Sequence, residues 1–345
     1  YRFVFLKFMS HIRDLQQSLL NAVSASLVKE PRYEDQDPRS NVIVNLVAQI
    51  VSAGSPEFIL KLALYVRDDL NIRTSANFLL ALAATHKECR PYLKLYLPAI
   101  VRLPSDWLEV VKLLRQMPGQ GNGGLPHALR VAMTIKFQDF DEFSLAKYNK
   151  EKALAKARAR EKKDAFIGRL IRSDSDDSDE EDGPRVLETL KQMVRHMHIS
   201  TPVYNVMCLT GKRYPTSQEL FHQTGLPGDW DSSRAGKRMK LAVPVTWETQ
   251  LSAWGNKAST WEKLLDNNQL PFMAMLRNLR NMLEAGISMQ HHQKVIRTLT
   301  NPQSIARSRQ FPFRFFTAYE AIDIDLGGLV KGTDGRLGFP KRSEL

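Results

Sequence analysis

The sequence predicts an all-α fold in which helices stack on one another as a solenoid. Apolar residues recur at the three- and four-residue spacing of helices along most of the 345-residue chain. The apolar segments are about 12–18 residues long with short joints, the usual pattern of stacked helix pairs. No segment alternates polar and apolar residues well enough to predict a sheet. No fixed-period repeat is visible, so the solenoid prediction depends on helix spacing.

Glycine and proline delimit the predicted helices. An apolar face over 42–51 ends at Gly54, after which Ser55 is a candidate cap and Pro56 suits the first helical position. Pro98 predicts a break between short helices. Similar patterns predict helices at 74–83, 104–114, 127–163, 185–198, 216–222, 246–253, 260–265, 271–283, 291–299 and from 311 onward.

Composition shifts suggest four parts. Residues 1–172 form the N-terminal part of a helical-repeat module, and 185–326 form its C-terminal part. Between them, 173–184 contain a ten-residue run with seven carboxylates and three serines, followed by Gly183-Pro184. Like-charge repulsion and the lack of apolar residues predict disorder there. Residues 327–345 are glycine-rich and are expected to form a loose tail.

The charge balance favours a polyanionic partner. Lys and Arg number 49 against 37 acidic residues, so the formal net charge is +12. Removing the seven negative charges of the acidic run from +12 leaves +19 on the remainder, which should attract RNA, DNA, anionic lipid or acidic proteins. Residues 147–172 alone hold ten Lys or Arg and three acids.

Other features narrow the class of protein. Two cysteines, Cys89 and Cys208, are too few for a disulfide framework and suggest reduced, half-buried residues of an intracellular protein. No apolar run reaches about 18 residues, so no membrane span is expected. The start at Tyr1 makes a poor signal peptide, and the absent initiator Met suggests a fragment.

The strongest candidate for phosphate contact is the segment 234–240, which holds four cations: Arg234, Lys237, Arg238 and Lys240. Gly236 would allow close approach of the backbone, and each phosphate contact would add to a salt-dependent affinity. A solvated surface loop or a nuclear-localisation patch is the alternative. Trp230 and Trp247 could stack on unpaired bases, although a position in the core is the favoured alternative for both.

Further candidates are weaker. Arg277 and Arg280 lie three residues apart, on one side of a predicted core helix, and would commonly form surface ion pairs. Ser173, Ser175 and Ser178 precede acids and suit acidophilic kinases, whose phosphates would deepen the negative charge. His196-x-His198 and His291-His292 lack further ligands at metal-binding spacing, so no metal is expected. Three common enzyme motifs, G-x-G-x-x-G, G-x-x-x-x-G-K-[ST] and G-x-S-x-G, are absent, which argues against an enzyme.

Five segments together resemble the TROVE module family: FDEFSLAKYN at 140–149, DWDSSRAGKRMKL at 229–241, WGNKASTWEKLL at 254–265, LPFMAMLRNL at 270–279 and SRQFPFRFF at 308–316. The resemblance covers roughly residues 40–325. It implies a closed ring of HEAT-like helix pairs. In Ro-type members the hole of the ring takes single-stranded RNA ends, and a basic outer surface takes structured small RNA.

The resemblance also assigns residues. Arg130 and the first of two hole-lining cations, Lys136, match the family pattern, whereas the second cation falls on Phe140 and a later His has no counterpart. Phe140 would stack on a base or belong to the core. Arg277, Arg280, Arg309 and Arg314 belong to resembling segments and are weaker candidates for contact with RNA. Members usually continue into a von Willebrand A-like domain with a metal site, before which this chain stops.

The sequence therefore predicts an RNA-binding scaffold subunit of a ribonucleoprotein, with no cofactor, small-molecule substrate or membrane partner. The resemblance implies vault RNA or telomerase RNA as ligand, vault or telomerase proteins as partners, and a location in cytoplasmic and nuclear particles. Two alternatives stay open. One is a protein-interaction solenoid that docks onto a particle such as the vault with little RNA contact. The other is a nuclease.

Overall fold

The computed structural model describes residues 2–25, 38–117, 124–149, 189–323, 330–331 and 337–338. The described residues are predominantly helical, which confirms the all-α prediction. The helices are α1 (Arg2–Ala25), α2 (Pro38–Ser52), α3 (Glu57–Asp68), α4 (Arg73–Thr85), α5 (Leu93–Ile100), α6 (Pro104–Gln116), α7 (His127–Phe137), α8 (Glu142–Tyr148), α9 (Leu190–His196), α10 (Val203–Thr210), α11 (Gln218–Thr224), α12 (Trp247–Trp254), α13 (Ala258–Asp266), α14 (Phe272–Arg277), α15 (Leu279–Glu284), α16 (Met289–Thr300), α17 (Pro302–Ser308) and α18 (Pro312–Asp323).

The chain divides into two compact units, Tyr1–Val243 and Pro244–Leu345. The acidic insert predicted at 173–184, its three serines and most of the basic segment 147–172 lie outside the described residues. Stacking into a solenoid and closure into a ring remain predictions. In the predicted tail, β1 (Val330–Lys331) pairs antiparallel with β2 (Leu337–Gly338).

In the first unit, each helix packs on helices one or two places away along the chain: α1 on α2, α3 on α4, α4 on α6, and α5 on α7. The buried faces are aliphatic, and fully buried Trp107 lies among them. The Trp107 indole donates a hydrogen bond to the Met133 carbonyl oxygen over 3.2 Å, which joins α6 to α7. Burial of these faces supplies most of the stability of the unit.

A buried ionic cluster centred on Asp106 joins four helices. The Asp106 carboxylate has no exposed surface; it accepts from the Arg67 guanidinium over 3.1 Å and is also paired with Arg73. Its Oδ2 atom accepts hydrogen bonds from the backbone N–H groups of Arg102 and Leu103, each over 3.0 Å. The Arg67 Nε donates to the Ile100 carbonyl oxygen over 3.1 Å. Burial lowers the pKa of Arg67, and the charge of Asp106 acts in the opposite direction.

Two predicted helix boundaries were wrong. Ser55 does not cap α3: Pro56 occupies the cap position, and the Ser55 hydroxyl accepts from the Gln16 side chain over 3.2 Å, which joins α1 to this turn. Pro98 lies inside α5 and does not separate two helices. Pro98 removes one backbone hydrogen bond, the one to the carbonyl oxygen of Lys94 in the first turn, and α5 ends two residues later at Ile100.

The second unit has its own core, in which α12 to α16 bury an aliphatic and sulfur-rich cluster around Trp261. The single helix predicted over 271–283 is in fact two helices, α14 and α15, separated at Asn278 with φ −109° and ψ 16°. The Asn278 side chain donates to the Ala274 carbonyl oxygen over 2.8 Å, so its amide competes for the helix's own acceptors. Arg277 and Arg280 therefore lie on different helices.

Removal of the Asp106 carboxylate should strongly destabilise the first unit. We expect Asp106→Asn to lower the free energy of unfolding by about 3–5 kcal/mol, because the buried Arg67 loses its counter-ion. The matched control is Asp68→Asn, which removes the same charge from a half-exposed pair with Arg102 and should cost under about 1 kcal/mol. Urea unfolding followed by circular dichroism measures both. Equal losses in the two variants would contradict the assignment.

Both cysteines should be unreactive in the folded protein. Cys89 and Cys208 are buried and free, and burial raises the pKa of the Cys89 thiol to about 11. Because the thiolate is the reactive form, Ellman's reagent at pH 8 should label neither residue until urea is added. Rapid labelling of either thiol without denaturant would show that these sites open readily.

Candidate nucleic-acid interface

Two segments of the first unit form a short antiparallel ribbon on the surface. The segment after α10, residues 212–214, runs beside residues 236–239. The Tyr214 N–H donates to the Lys237 carbonyl oxygen over 2.9 Å, and the Met239 N–H donates to that of Lys212 over 2.9 Å. Arg213 and Arg238 face each other as bridge partners. We call residues 212–214 and 234–240 the basic ribbon.

Tyr214 anchors the basic ribbon to the protein. Its ring is buried against Phe221, with ring centroids 5.7 Å apart. Its hydroxyl donates to the Asp229 carbonyl oxygen over 3.3 Å and accepts from the Asp231 N–H over 3.1 Å. The Arg234 guanidinium lies 4.5 Å from the centre of the ring. The buried tyrosine thus fixes the loop before the ribbon and places one of its cations.

Six cations emerge from the basic ribbon, and all six residues are exposed. Four of them are the residues predicted from the sequence, and the ribbon adds two that sequence reasoning missed. Within the described part of the chain, no salt bridge joins any of the six to a carboxylate. Their charge is therefore available to an external anion. The six are Lys212, Arg213, Arg234, Lys237, Arg238 and Lys240.

The side chain of Arg238 packs on the backbone of Gly211. A Cβ added at Gly211 would lie 2.6 Å from the Arg238 Nη2 atom, and Gly211 has a φ of +73° at the end of α10. Arg213 is held in a similar way, since its Nη1 donates to the Gly236 carbonyl oxygen over 3.1 Å. The guanidinium groups are thus positioned by the ribbon itself, which lowers the entropic cost of holding a phosphate.

Trp230 and Asp231 belong to the loop before the ribbon. Trp230 is half-buried against the cluster around Phe221, and its indole donates to the Pro215 carbonyl oxygen over 3.1 Å. The Asp231 carboxylate accepts from the Ser233 N–H over 2.9 Å. Hydrogen bonding by the Ser233 side chain, and then by its backbone N–H, lowers the pKa of Asp231, and the charges of Arg234 and Lys237 lower it further. Stacking of Trp230 on a base remains a prediction.

The residues assigned to the hole of a ring lie on α7 and just after it. The Lys136 side chain is 12% exposed, pairs with Asp139 over 3.3 Å and lies 5.8 Å from the centre of the Phe140 ring. Phe140 is 5% exposed and packs edge-on against Trp107 and Phe137, so it is a core residue in this structure and its ring is not open to a base. Arg130 is half-buried, and its charge contributes to a lowered pKa of His196, whose main cause is burial.

The remaining predicted residues lie in the second unit. Trp247 is half-buried and packs on the core cluster. Arg277 is exposed, whereas Arg280 pairs with Glu284 over 2.9 Å. Arg309 has a φ of +50°, and Arg314 lies 5.5 Å from the centre of the Phe313 ring.

The described residues offer no ready metal site, since no group of three or more His, Cys, Asp or Glu side chains in them could hold a metal ion. None of the described helices combines the length and the apolar character that a bilayer crossing requires.

Comparison with known proteins gives a family. The TROVE domain model matches residues 4–166 and 155–330. The chain is 41% identical over 337 residues to "Telomerase protein component 1" of Mus musculus, and 40% identical over 339 residues to the protein of the same name from Rattus norvegicus. Each alignment covers 90% of this chain but 13% of the relative, so the chain spans about an eighth of the length of these proteins. No solved structure matches the chain.

The family match and the two identities agree with each other and with the all-helical architecture. The matched residues include the basic ribbon, its Tyr214 anchor and most of both compact units. The chain belongs to the TROVE domain family.

Proposed function

We propose that the chain is an RNA-binding scaffold of a ribonucleoprotein particle and that the basic ribbon is its principal phosphate contact. The observation that carries the proposal is the set of six exposed cations, which lie on one hydrogen-bonded ribbon without carboxylate partners among the described residues. Arg234, Lys237, Arg238 and Lys240 grip phosphates, and Lys212 and Arg213 extend the same surface. The ribbon supplies no nucleophile or general base at a cleft, so we assign it no catalysis.

The chemistry of the ribbon fits phosphate better than carboxylate-bearing proteins. The planar guanidinium groups of its three arginines can each donate two hydrogen bonds to the two free oxygens of a phosphodiester. Its three lysines add positive charge without requiring one orientation. Arg234 packs over the Tyr214 ring and Arg238 packs on Gly211. Two of the guanidinium groups are therefore ordered in the absence of a ligand. Backbone contacts of this kind position an RNA without reading its sequence.

The partners follow from the relatives and stay proposals. The relatives are named as telomerase components, which favours telomerase RNA and telomerase proteins as partners. Vault RNA and vault proteins remain the second option that the sequence resemblance implied. In either case we propose a location in cytoplasmic and nuclear ribonucleoprotein particles.

A protein-docking role is the second candidate, and one observation favours it. Helix α18 exposes Phe313, Phe316 and Tyr319, which recur every three residues and are 47%, 61% and 60% exposed. Such a row could cover an apolar surface of another subunit. If the chain did not bind RNA at low salt, protein docking would be favoured over RNA binding as its main function.

Neutralisation of the ribbon should weaken RNA binding and its salt dependence. We expect Arg234→Ala/Lys237→Ala/Arg238→Ala/Lys240→Ala to bind a labelled structured RNA more weakly. Its slope of log K against log salt should be shallower by about 0.9 for each phosphate that the variant no longer neutralises. Fluorescence anisotropy at several salt concentrations measures both quantities.

The matched control removes four exposed lysines elsewhere on the first unit: Lys61, Lys87, Lys94 and Lys112. This control lowers the net charge equally, so it separates a local contact from a general electrostatic effect. The proposal fails if the control and the ribbon variant show the same decrease in affinity and slope, or if the wild-type chain binds no RNA at low salt.

The packing of Arg238 on Gly211 gives a second prediction. Gly211→Ala should weaken RNA binding, because the new methyl group displaces the guanidinium. Gly225→Ala is the control: Gly225 ends α11 with a φ of +72°, and its added Cβ would meet only a Val203 methyl group at 3.8 Å. Both substitutions should cost about 1 kcal/mol of stability, since each forces Ala into a left-handed conformation. Equal RNA affinity of the two variants would contradict the assigned role of Arg238.

A further inference from the structure

In the second unit, the indole of Trp254 is exposed and is not part of the hydrophobic core. Trp254 is the last residue of α12 and is 46% exposed, whereas Trp261 is buried and Trp247 packs on the core. The hydroxyl of Thr246 caps the start of α12, accepting the Thr249 N–H over 3.2 Å. The helix is therefore defined at both ends, since Gly255 stops it with a φ of +84°. Trp254 is held on an ordered element while much of its surface faces solvent.

Two lysines accompany this indole. The Lys263 Nζ lies 4.4 Å from the centre of the Trp254 ring, which is cation–π distance. Lys257 follows two residues after Gly255, and its Cε would lie 3.8 Å from a Cβ built there. Both lysines are exposed, and neither has a salt bridge with a carboxylate among the described residues. The aromatic surface is thus flanked by positive charge that is not neutralised.

Trp254 and Lys263 lie between two open clefts of about 340 and 400 Å³, whose linings both include them. Thr249, Asn267 and Gln269 line the first, and Lys257, Ser259 and Thr260 line the second. Neither lining contains an Asp or a Glu. The clefts therefore offer an aromatic face beside Val245 and Ala253, neutral hydrogen-bonding groups and two cations, and no carboxylate in either lining would repel a phosphate.

We propose that Trp254 is a stacking site for an unpaired nucleobase of RNA, with Lys257 and Lys263 on the neighbouring phosphates. This inference rests on the proposed RNA-binding function and adds an RNA feature to it: an unpaired nucleotide, distinct from the backbone held by the basic ribbon. Stacking requires a splayed base, which a duplex does not offer. Val245 and Ala253 would also suit an apolar protein segment, but such a segment fits less well because the ammonium groups of Lys257 and Lys263 border the indole.

The test compares two labelled probes on the full chain, an oligouridylate and a blunt RNA duplex. We expect Trp254→Ala to weaken oligouridylate binding about tenfold and to leave duplex binding unchanged, because only the single strand provides a base to stack. Trp254→Phe should retain most of the affinity. Tyr319→Ala, which removes another exposed aromatic side chain of the same unit, should bind both probes as the wild type does.

A further variant keeps the test decisive if Trp254→Ala does not fold. Lys263→Gln should reduce the salt slope for the oligouridylate by about 0.7, the value for one phosphate contact on a single strand. The slope for the duplex should not change. An unchanged oligouridylate slope would overturn the proposal.

The outcomes separate this inference from the proposed function. If a folded Trp254→Ala variant binds the oligouridylate as tightly as the wild type, or loses affinity for both probes equally, the stacking site is overturned. The proposed function would survive that result as long as the basic-ribbon variant weakens binding of structured RNA. If the wild type binds neither probe at low salt, both proposals fall.

Discussion

The carboxylate of Asp106 is the interaction on which the helix packing of the first unit depends. It lies at the start of α6 and receives the guanidinium groups of α3 and α4 together with two backbone N–H groups from the turn after α5. A buried charge is tolerated only when its partners replace the water it has lost, and here four groups do so. Four consecutive helices are thereby fixed in one arrangement, and the apolar faces between them pack around that point.

The same rule explains why the basic ribbon differs from the rest of the unit. Arg67 and Arg73 are both paired with the buried Asp106 carboxylate, so their charges belong to the fold. The six ribbon cations have no such partners in the described residues and remain at the surface. Tyr214 makes this possible, because one buried side chain fixes the preceding loop. Arg213 also donates across the ribbon to the Gly236 carbonyl oxygen, so part of the charged surface helps to hold the ribbon together.

Much of the fold could be predicted from the sequence, since helical periodicity is a local property. The positions of the helices between Gly54 and Pro104 were predicted well from these two residues and the apolar faces between them. The break at Asn278 was missed because the apolar pattern continues through it, and only the side-chain amide of that residue signals it. The four cations at 234–240 were visible as a cluster. Lys212 and Arg213 were not, because antiparallel pairing brings together residues that lie more than twenty positions apart in sequence.

Trp254 shows a related limit of sequence reasoning. The segment 254–265 carried part of the family resemblance and contains both Trp254 and Trp261. The two differ in solvent exposure, which depends on how α12 and α13 pack. Phe140 is the opposite case, since a position that resemblance made a candidate for stacking is filled by a core ring. Whether an aromatic side chain is buried or exposed depends on its neighbours in space. Its role can therefore be assigned only from the structure.

The claim that RNA lies on the basic ribbon is tested most directly by lysine footprinting of the wild-type chain. The protein is acetylated briefly, with and without saturating structured RNA, and the modification of each lysine is measured by mass spectrometry. The account predicts that RNA slows acetylation of Lys212, Lys237 and Lys240, while the exposed Lys87 and Lys94 react as in the free protein. Unchanged acetylation of the three ribbon lysines in the presence of bound RNA would contradict it.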